Sequence, residues 1–176
     1  PFKVGNQWVY QLESQRVSQG QRMVGSGEVT FKCVSATPID GGGSKAVIEV
    51  VTDNKVTERQ TWMSNAKGVY QMTVGQKETP FVPPQPSILI PADKDRVFTW
   101  EGTGMIPTGQ SGTSKVVSKV LGPQEVDTAM GAMTGIAIES QTTLVIAGKK
   151  SLSISTTWWK PGTGVIRYKS VSTDSL

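Results

Sequence analysis

The amino-acid sequence predicts an all-β protein made of internally duplicated antiparallel sheets, with little or no helix. Valine and isoleucine outnumber leucine, and the usual helix-forming residues are not prominent, so the composition favours strands. The 19 glycines and 10 prolines predict frequent turns. A Thr-Trp pair followed at the same spacing by Gly-Val occurs at Thr61–Val69 and again at Thr157–Val165, which predicts a repeat within one domain.

The repeat divides the chain into two halves and a connector. Repeat 1 is expected over about residues 1–77, the connector over about 78–94, and repeat 2 over about 95–176. Trp8 opens the first half as Trp100 opens the second. Neither half contains a helical pattern long enough to cover a sheet. The halves are therefore expected to share one curved sheet, as in a half-barrel, or to pack as two sheets.

Polar and apolar residues alternate in short runs through the first half, as in Gln7-Trp8-Val9-Tyr10. Side chains of a strand point alternately to its two faces, so these runs predict strands with one face in the core. Turn residues such as Asp53-Asn54 separate the runs. The predicted strands of this half are residues 7–15, 27–35, 46–52, 56–63 and 68–74.

Prolines distinguish the connector from the rest of the chain, since five of them fall between Pro80 and Pro91. Proline cannot donate a ladder hydrogen bond, so this stretch is interpreted as a semi-rigid extended linker that packs on the sheets. A polyproline ligand for a small recognition module is the alternative.

The second half repeats the plan with more turn residues. A glycine-rich loop is expected over 102–112, and an irregular connection or one short helix over 124–135. Lys149-Lys150 is expected at a hairpin tip, and Pro161-Gly162 at the last turn. The predicted strands are residues 96–100, 115–121, 135–143, 152–158 and 164–172.

The absence of histidine from the sequence excludes Ser-His-Asp and Cys-His catalysis and the common histidine-containing zinc sites. The one cysteine, Cys33, allows no intrachain disulfide and is predicted to be buried. Neither a phosphate-binding loop nor a nucleophile elbow occurs. A non-enzymatic protein without cofactor or metal is therefore predicted. Glu49 and Glu139, at equivalent places in the two halves, are the alternative as paired catalytic carboxylates.

The net charge of +4 comes from basic residues that are spread along the chain. Nucleic-acid binders usually concentrate such residues on one stripe or arm, so this class is disfavoured. No apolar run approaches the roughly 20 residues of a membrane-spanning helix, so no transmembrane segment is predicted.

The two ends of the chain carry a family resemblance. The opening Pro1-Phe2-Lys3-Val4-Gly5-Asn6-Gln7-Trp8-Val9-Tyr10, with the closing Trp158…Pro161-Gly162-Thr163-Gly164-Val165-Ile166, resembles a loose group of bacterial secreted or lipid-anchored β proteins. This group is distantly similar to the LolA/LppX-type lipoprotein carriers, which hold acyl chains in a concave half-barrel. The resemblance implies an extracytoplasmic location: periplasmic, secreted or lipid-anchored. The carriers also plug their half-barrel with helices, and no helix long enough to cover a sheet is predicted here.

Two functions follow from these expectations. The first is a structural or interaction module, such as an accessory subunit of a cell-envelope or membrane-associated assembly. The second is a carrier of an apolar ligand, such as a lipid acyl chain, in a concave β-sheet. Trp159 follows the expected core residue Trp158, so its ring should point to the opposite face. With Lys160 and the symmetry-related Met63, it is predicted to contact a protein partner or a membrane surface.

Overall fold

The structure is a computed structural model that describes residues 2–18, 21–104 and 112–173, with side chains over 2–13, 24–104 and 112–171. The predicted loop at 102–112 therefore lies mostly outside the described residues. The strands that are described are β1 (Gln7–Ser18), β2 (Gln21–Pro38), β3 (Ser44–Thr52), β4 (Lys55–Asn65), β5 (Gly68–Val74), β6 (Thr79–Leu89), β7 (Val97–Thr103), β8 (Gly112–Thr128), β9 (Gly131–Ile146), β10 (Lys149–Lys160) and β11 (Gly164–Thr173).

The strands form one antiparallel sheet in which spatial order follows chain order from β1 to β11. No helix occurs within 2–18, 21–104 or 112–173. Short turns make this meander possible; the turn between β3 and β4 is Asp53-Asn54, whose φ angles of 51° and 60° suit these residue types. The all-β prediction is confirmed, and the open sheet agrees with the curved-sheet form of it.

Burial along β8 separates the sheet into two faces. Ser114, Val116, Ser118 and Val120 are buried, whereas the residues between them are exposed. Residues paired across antiparallel strands share a face, so the register extends this assignment over the sheet. We call the face that carries these four residues the inner face, and the opposite one the outer face.

Three clusters of buried residues lie on the inner face. The first is centred on Cys33, Ala46 and Ile48 in the first half, and the second joins Phe81 of β6 to Trp100 and Val116 of the second half. The third, which we call the bridging cluster, contains Ile88, Val120 and Ile138, with Val69 packed against them. It takes residues from both halves and therefore joins them. The predicted burial of Cys33 is confirmed.

The proline-rich connector contains strand β6, whereas an extended linker packed on the sheets was predicted. β6 pairs with β5 from Gly68↔Leu89 to Val74↔Thr79, with two irregularities in register. Its ladder to β7 consists of the single pair Val82↔Thr103. The prolines interrupt hydrogen bonding on one side while the backbone stays extended. β6 is thus both the last strand of the first half and a loose backbone link to the second.

The stretch 124–135 also differs from expectation, since no irregular connection or helix forms there. β8 and β9 continue as a long hairpin, with Val126 paired to Met133 and Thr128 to Gly131. A bulge between Val120 and Gly122 lets the hairpin turn as it continues.

The molecule has a large surface for its mass. Its accessible surface is 11175 Å². A compact monomer of 18.9 kDa is expected to expose about 8,300 Å². The difference, about a third, fits a curved single sheet better than a compact domain of two packed layers.

Candidate functional site

The inner face of the second half carries a row of serines. Ser118, Ser140, Ser155 and Ser170 are paired in register across β8, β9, β10 and β11. The Oγ atoms of Ser118 and Ser140 are hydrogen-bonded at 2.8 Å. Exposure increases along this serine row, from buried Ser118 to exposed Ser170. Because each hydroxyl can donate and accept, the row is a polar stripe that leads from the core to the edge of the sheet.

The inner face of the first half is aromatic instead. Trp8, Phe31 and Trp62 pack against the first cluster. Trp62 Nε1 donates to Gln60 Oε1 at 2.8 Å, and Gln60 Nε2 donates to Glu58 Oε1 at 2.8 Å. The buried amide of Gln60 is thus satisfied, and the aromatic face is held rigidly. The two halves of the inner face therefore offer different chemistry.

Trp158 and Trp159 point to opposite faces, because Trp158 pairs with Ala137 and Trp159 with Ile136. Trp158 is 9% exposed and packs on the outer face, where its Nε1 donates to Gln124 Oε1 at 3.0 Å. Trp159 is half-buried on the inner face against the bridging cluster. Within the described part of the chain its Nε1 is buried without a partner.

When the two halves are compared as the sequence repeat suggests, strand register aligns Trp62 with Trp159 and not with Trp158. Trp62 pairs with Ala46, two residues before buried Ile48. Trp159 pairs with Ile136, two residues before buried Ile138. The sequence match had aligned Trp62 with Trp158. A bulge between Trp158 and Trp159 in the pairing with β11 accommodates the one-residue difference.

The other predicted contact residues lie at separate places. Lys160 ends β10 opposite Gly164, next to Trp159 and half-buried. Met63 is half-buried on β4 and pairs with Lys45 and Tyr70. Because it follows Trp62, Met63 faces outward. The structure thus brings Trp159 and Lys160 together at the last turn and places Met63 on the other face of the other half.

A contact between the two ends of the sheet was missed by sequence reasoning. Trp8 Nε1 donates to the Thr163 carbonyl at 2.6 Å, and the Tyr10 hydroxyl donates to the Val165 carbonyl at 2.7 Å. Burial raises the pKa of Tyr10 to about 12. We call this contact between β1 and β11 the seam. Nothing in the local sequence reports it, since its partners are 155 residues apart.

Side chains, and not a backbone ladder, form the seam in the described residues. From the contact of Trp8 with Thr163 to that of Tyr10 with Val165, the chain advances by two residues on both sides. The two edge strands therefore run in the same direction, as alternation over eleven antiparallel strands requires.

A cavity of about 510 Å³ lies among residues of the neighbouring strands β7, β8 and β9. Ser114 Oγ is buried there without a partner among the described atoms. Glu101 and Lys115, which form an ion pair at 2.6 Å, stand at its wall. The lining residues are Glu101, Gly102, Thr103, Thr113, Ser114, Lys115, Thr143 and Val145.

The carboxylates considered for catalysis lie on the outer face. Glu49 is bound to Arg59 at 2.7 Å, in an ion pair on the first half. Glu139 is exposed and pairs in register with Lys119 on the second half. Among the residues that the structure describes, no three acidic or cysteine side chains come together as metal ligands. The thiol of Cys33 is buried, and its desolvation raises its pKa, which disfavours the reactive thiolate.

The described residues contain no helix that is long and apolar enough to cross a membrane. Comparison with the models of known protein families, with curated proteins and with solved structures finds no match for this chain.

Proposed function

We propose that this chain is a non-enzymatic interaction module whose partner binds on the inner face. The observation that carries the proposal is the open part of the inner face, where exposure increases along the serine row from buried Ser118 to exposed Ser170. The three clusters of the inner face are buried within the curved sheet itself, whereas the serine row is not covered in this way. The molecule exposes 11175 Å², against about 8,300 Å² for a compact monomer, and a partner is the natural cover for the open part.

We place this module in an extracytoplasmic assembly of the cell envelope or membrane surface. The opening Trp8-Val9-Tyr10 pattern supports this location by resemblance. The same residues have a structural role, since Trp8 and Tyr10 form the seam. Fractionation of cells that express the full-length gene tests the location, and recovery only in the cytoplasm would contradict it.

A charge placed on the inner face tests where the partner binds. Ser155→Arg adds a bulky cation to the serine row, whereas Gln141→Arg adds the same group to the outer face of neighbouring β9. The partner is identified by mass spectrometry after isolation of the complex from its own cells. We expect Ser155→Arg to remove it and Gln141→Arg to retain it. Equal retention by both folded variants would refute binding on the inner face.

A carrier of an apolar ligand is the second candidate. The aromatic inner face of the first half favours it, because Trp8, Phe31 and Trp62 offer a large apolar area beside the first cluster. Native mass spectrometry of the purified protein would show a bound lipid directly. A lipid-free spectrum, together with a protein partner lost in Ser155→Arg, would leave the interaction module as the function.

A further inference from the structure

β11 is one of the two edge strands of the sheet. β11 pairs with β10 on one side, and in the described residues no strand pairs with its other side. The side chains from Arg167 to Val171 are all exposed, with Tyr168 at 60% and Val171 at 59%. An edge of this kind can accept an extended segment through main-chain hydrogen bonds.

The first half shows how such an edge is covered in this protein. β5 follows the same Trp-turn-Gly-Val pattern as β11 and begins at Gly68, as β11 begins at Gly164. Strand β6 pairs with β5 from Gly68 to Val74. A Cβ atom on Gly68 would lie 2.2 Å from the carbonyl oxygen of Ile88. The glycine therefore permits the close approach of the covering strand.

Gly164 presents the same opening beside β11, but no backbone fills it. Its φ is +105°, and the nearest atom to a Cβ placed there would be Trp8 Nε1 at 3.4 Å. The edge of the Trp8 indole thus occupies, beside β11, the position that β6 occupies beside β5. Beyond Tyr10 and Val165 neither a side-chain hydrogen bond nor a strand pairing continues the seam among the side chains described, which on β1 extend to residue 13.

The direction of the edges fixes the direction of a covering strand. Because β1 and β11 run in the same direction, one strand that runs opposite to β11 is also antiparallel to β1. A single added segment would therefore be antiparallel to both edge strands, as neighbouring strands are throughout the sheet. A second copy of this chain that offered its own β11 would instead extend the sheet outward.

We propose that an extended segment of a partner protein adds to β11 as a twelfth strand, antiparallel to it, over residues 166–171. The strand β6 is the template for its chemistry: apolar side chains interrupted by prolines, without lysine or arginine. Arg167 and Lys169 are exposed on β11 and would repel a basic segment. This inference rests on the proposed interaction function and assigns the partner's point of attachment.

A synthetic peptide with the sequence of residues 79–89 is the probe. It is titrated onto the isotope-labelled intact protein, and backbone amide signals are followed by NMR. We expect shifts and slower hydrogen exchange at amides 166–171. A scrambled peptide of the same composition should produce neither effect.

Proline substitution on β11 tests the main-chain contact. Lys169→Pro and Ser170→Pro remove neighbouring amide donors, one of which points to β10 and the other to the free edge. The variant that keeps the fold by circular dichroism is used, and about tenfold weaker peptide binding is expected from the lost hydrogen bond. Lys169→Ala, which removes the charge but keeps the donor, should bind the peptide as well as the native protein does.

Three outcomes would overturn the inference: no shift at β11, shifts at β5 that indicate exchange with β6, or dimerisation of the unliganded protein through β11. The partner test with Ser155→Arg is independent of these measurements. If that variant loses its partner while the peptide fails to bind, the interaction function stands and the twelfth strand is refuted.

Discussion

Position 68 favours glycine for two separate reasons. Its φ of +151° lies in a region that other residues avoid, and a Cβ atom would lie 2.2 Å from the Ile88 carbonyl oxygen. Gly75 has a φ of +81° but no atom within 4 Å of the same position. Substitutions at Gly68 and Gly75 can therefore separate the free-energy cost of the backbone conformation from that of displacing β6.

Gly68→Ala should lower the free energy of unfolding by about 3 kcal/mol or more, since strain of about 1–2 kcal/mol adds to the overlap with β6. Gly75→Ala should cost only about 1–2 kcal/mol. Urea unfolding measures both values. Equal losses would show that β6 moves away freely.

The stability of the seam should depend on alkaline pH through Tyr10. Burial raises its pKa from 10.0 to about 12. In the unfolded chain the phenol of Tyr10 ionises at a lower pH than it does in the folded protein. The free energy of unfolding is therefore undiminished below about pH 10 and falls as the pH rises towards 12, by at most about 3 kcal/mol.

Urea unfolding at about pH 9 and pH 11 measures this decline. Tyr10→Phe should be less stable at the lower pH, because the bond to the Val165 carbonyl is lost, but should decline less between the two. Trp8→Phe, which removes the other hydrogen bond of the seam but no ionisable group, should decline as the native protein does. A native-like decline in Tyr10→Phe would contradict the assignment.

Single residues were predictable where local alternation decides the outcome. The burial of Cys33 and the opposite faces of Trp158 and Trp159 follow from the period of a strand. The counterpart of Trp62 was not predictable, because the bulge at Trp158 leaves no mark in the spacing of the motif. The partners of Trp8 and Tyr10 depend on the curvature of the whole sheet.

Among the elements, strands bounded by clear turns were predicted well and strands with unusual composition were not. β6 contains four prolines, and its pairing depends on an edge of β5 that only the folded sheet provides. The hairpin beyond Gly122 was missed for a similar reason. Its residues alternate weakly, and each strand is held by the register of the other.

The contact between the edge strands can be tested by removing one donor. Trp8→Phe keeps an aromatic ring but loses the bond from Nε1 to the Thr163 carbonyl, which should cost about 1 kcal/mol. We expect hydrogen exchange to become faster mainly at the β10–β11 turn and in β11.

Trp62→Phe is the matched variant for this experiment. It makes the same change in the same cluster but loses a bond to Gln60 instead. Exchange should then become faster in β4 and leave β11 unchanged. If both variants accelerate hydrogen exchange in β11 equally, the seam does not specifically stabilise that strand.

At the scale of the molecule, two groups of strands are joined by few contacts. The backbone link between β6 and β7 is the pair Val82↔Thr103, and Trp100 Nε1 donates to the Pro83 carbonyl at 3.0 Å. The bridging cluster and the packing of Phe81 against Trp100 supply apolar contacts between the halves. The two-fold repeat remains our proposal, and the similar placement of Trp62 and Trp159 supports it.

Val120→Ala should show how strongly the halves are coupled. Val120 is fully buried in the bridging cluster, and its truncation should cost about 2 kcal/mol. Amide exchange should accelerate in β8 and β9 more than in β2 and β3. Val117→Ala, on the exposed side of the same strand, should change neither. An equal loss of protection in β2 and β3 would show one cooperative unit.

The shared direction of β1 and β11 also gives the molecule a polarity. The edges meet near Trp8 and Val165, and β11 then continues to Thr173. At about 3.3 Å per residue, the end of β11 lies on the order of 25 Å along the strand from the point where the two edges meet. A tether that extends from Gln7 and one that extends from Thr173 would therefore leave the molecule at opposite poles, and each would present a different end of the inner face to the surface that holds it.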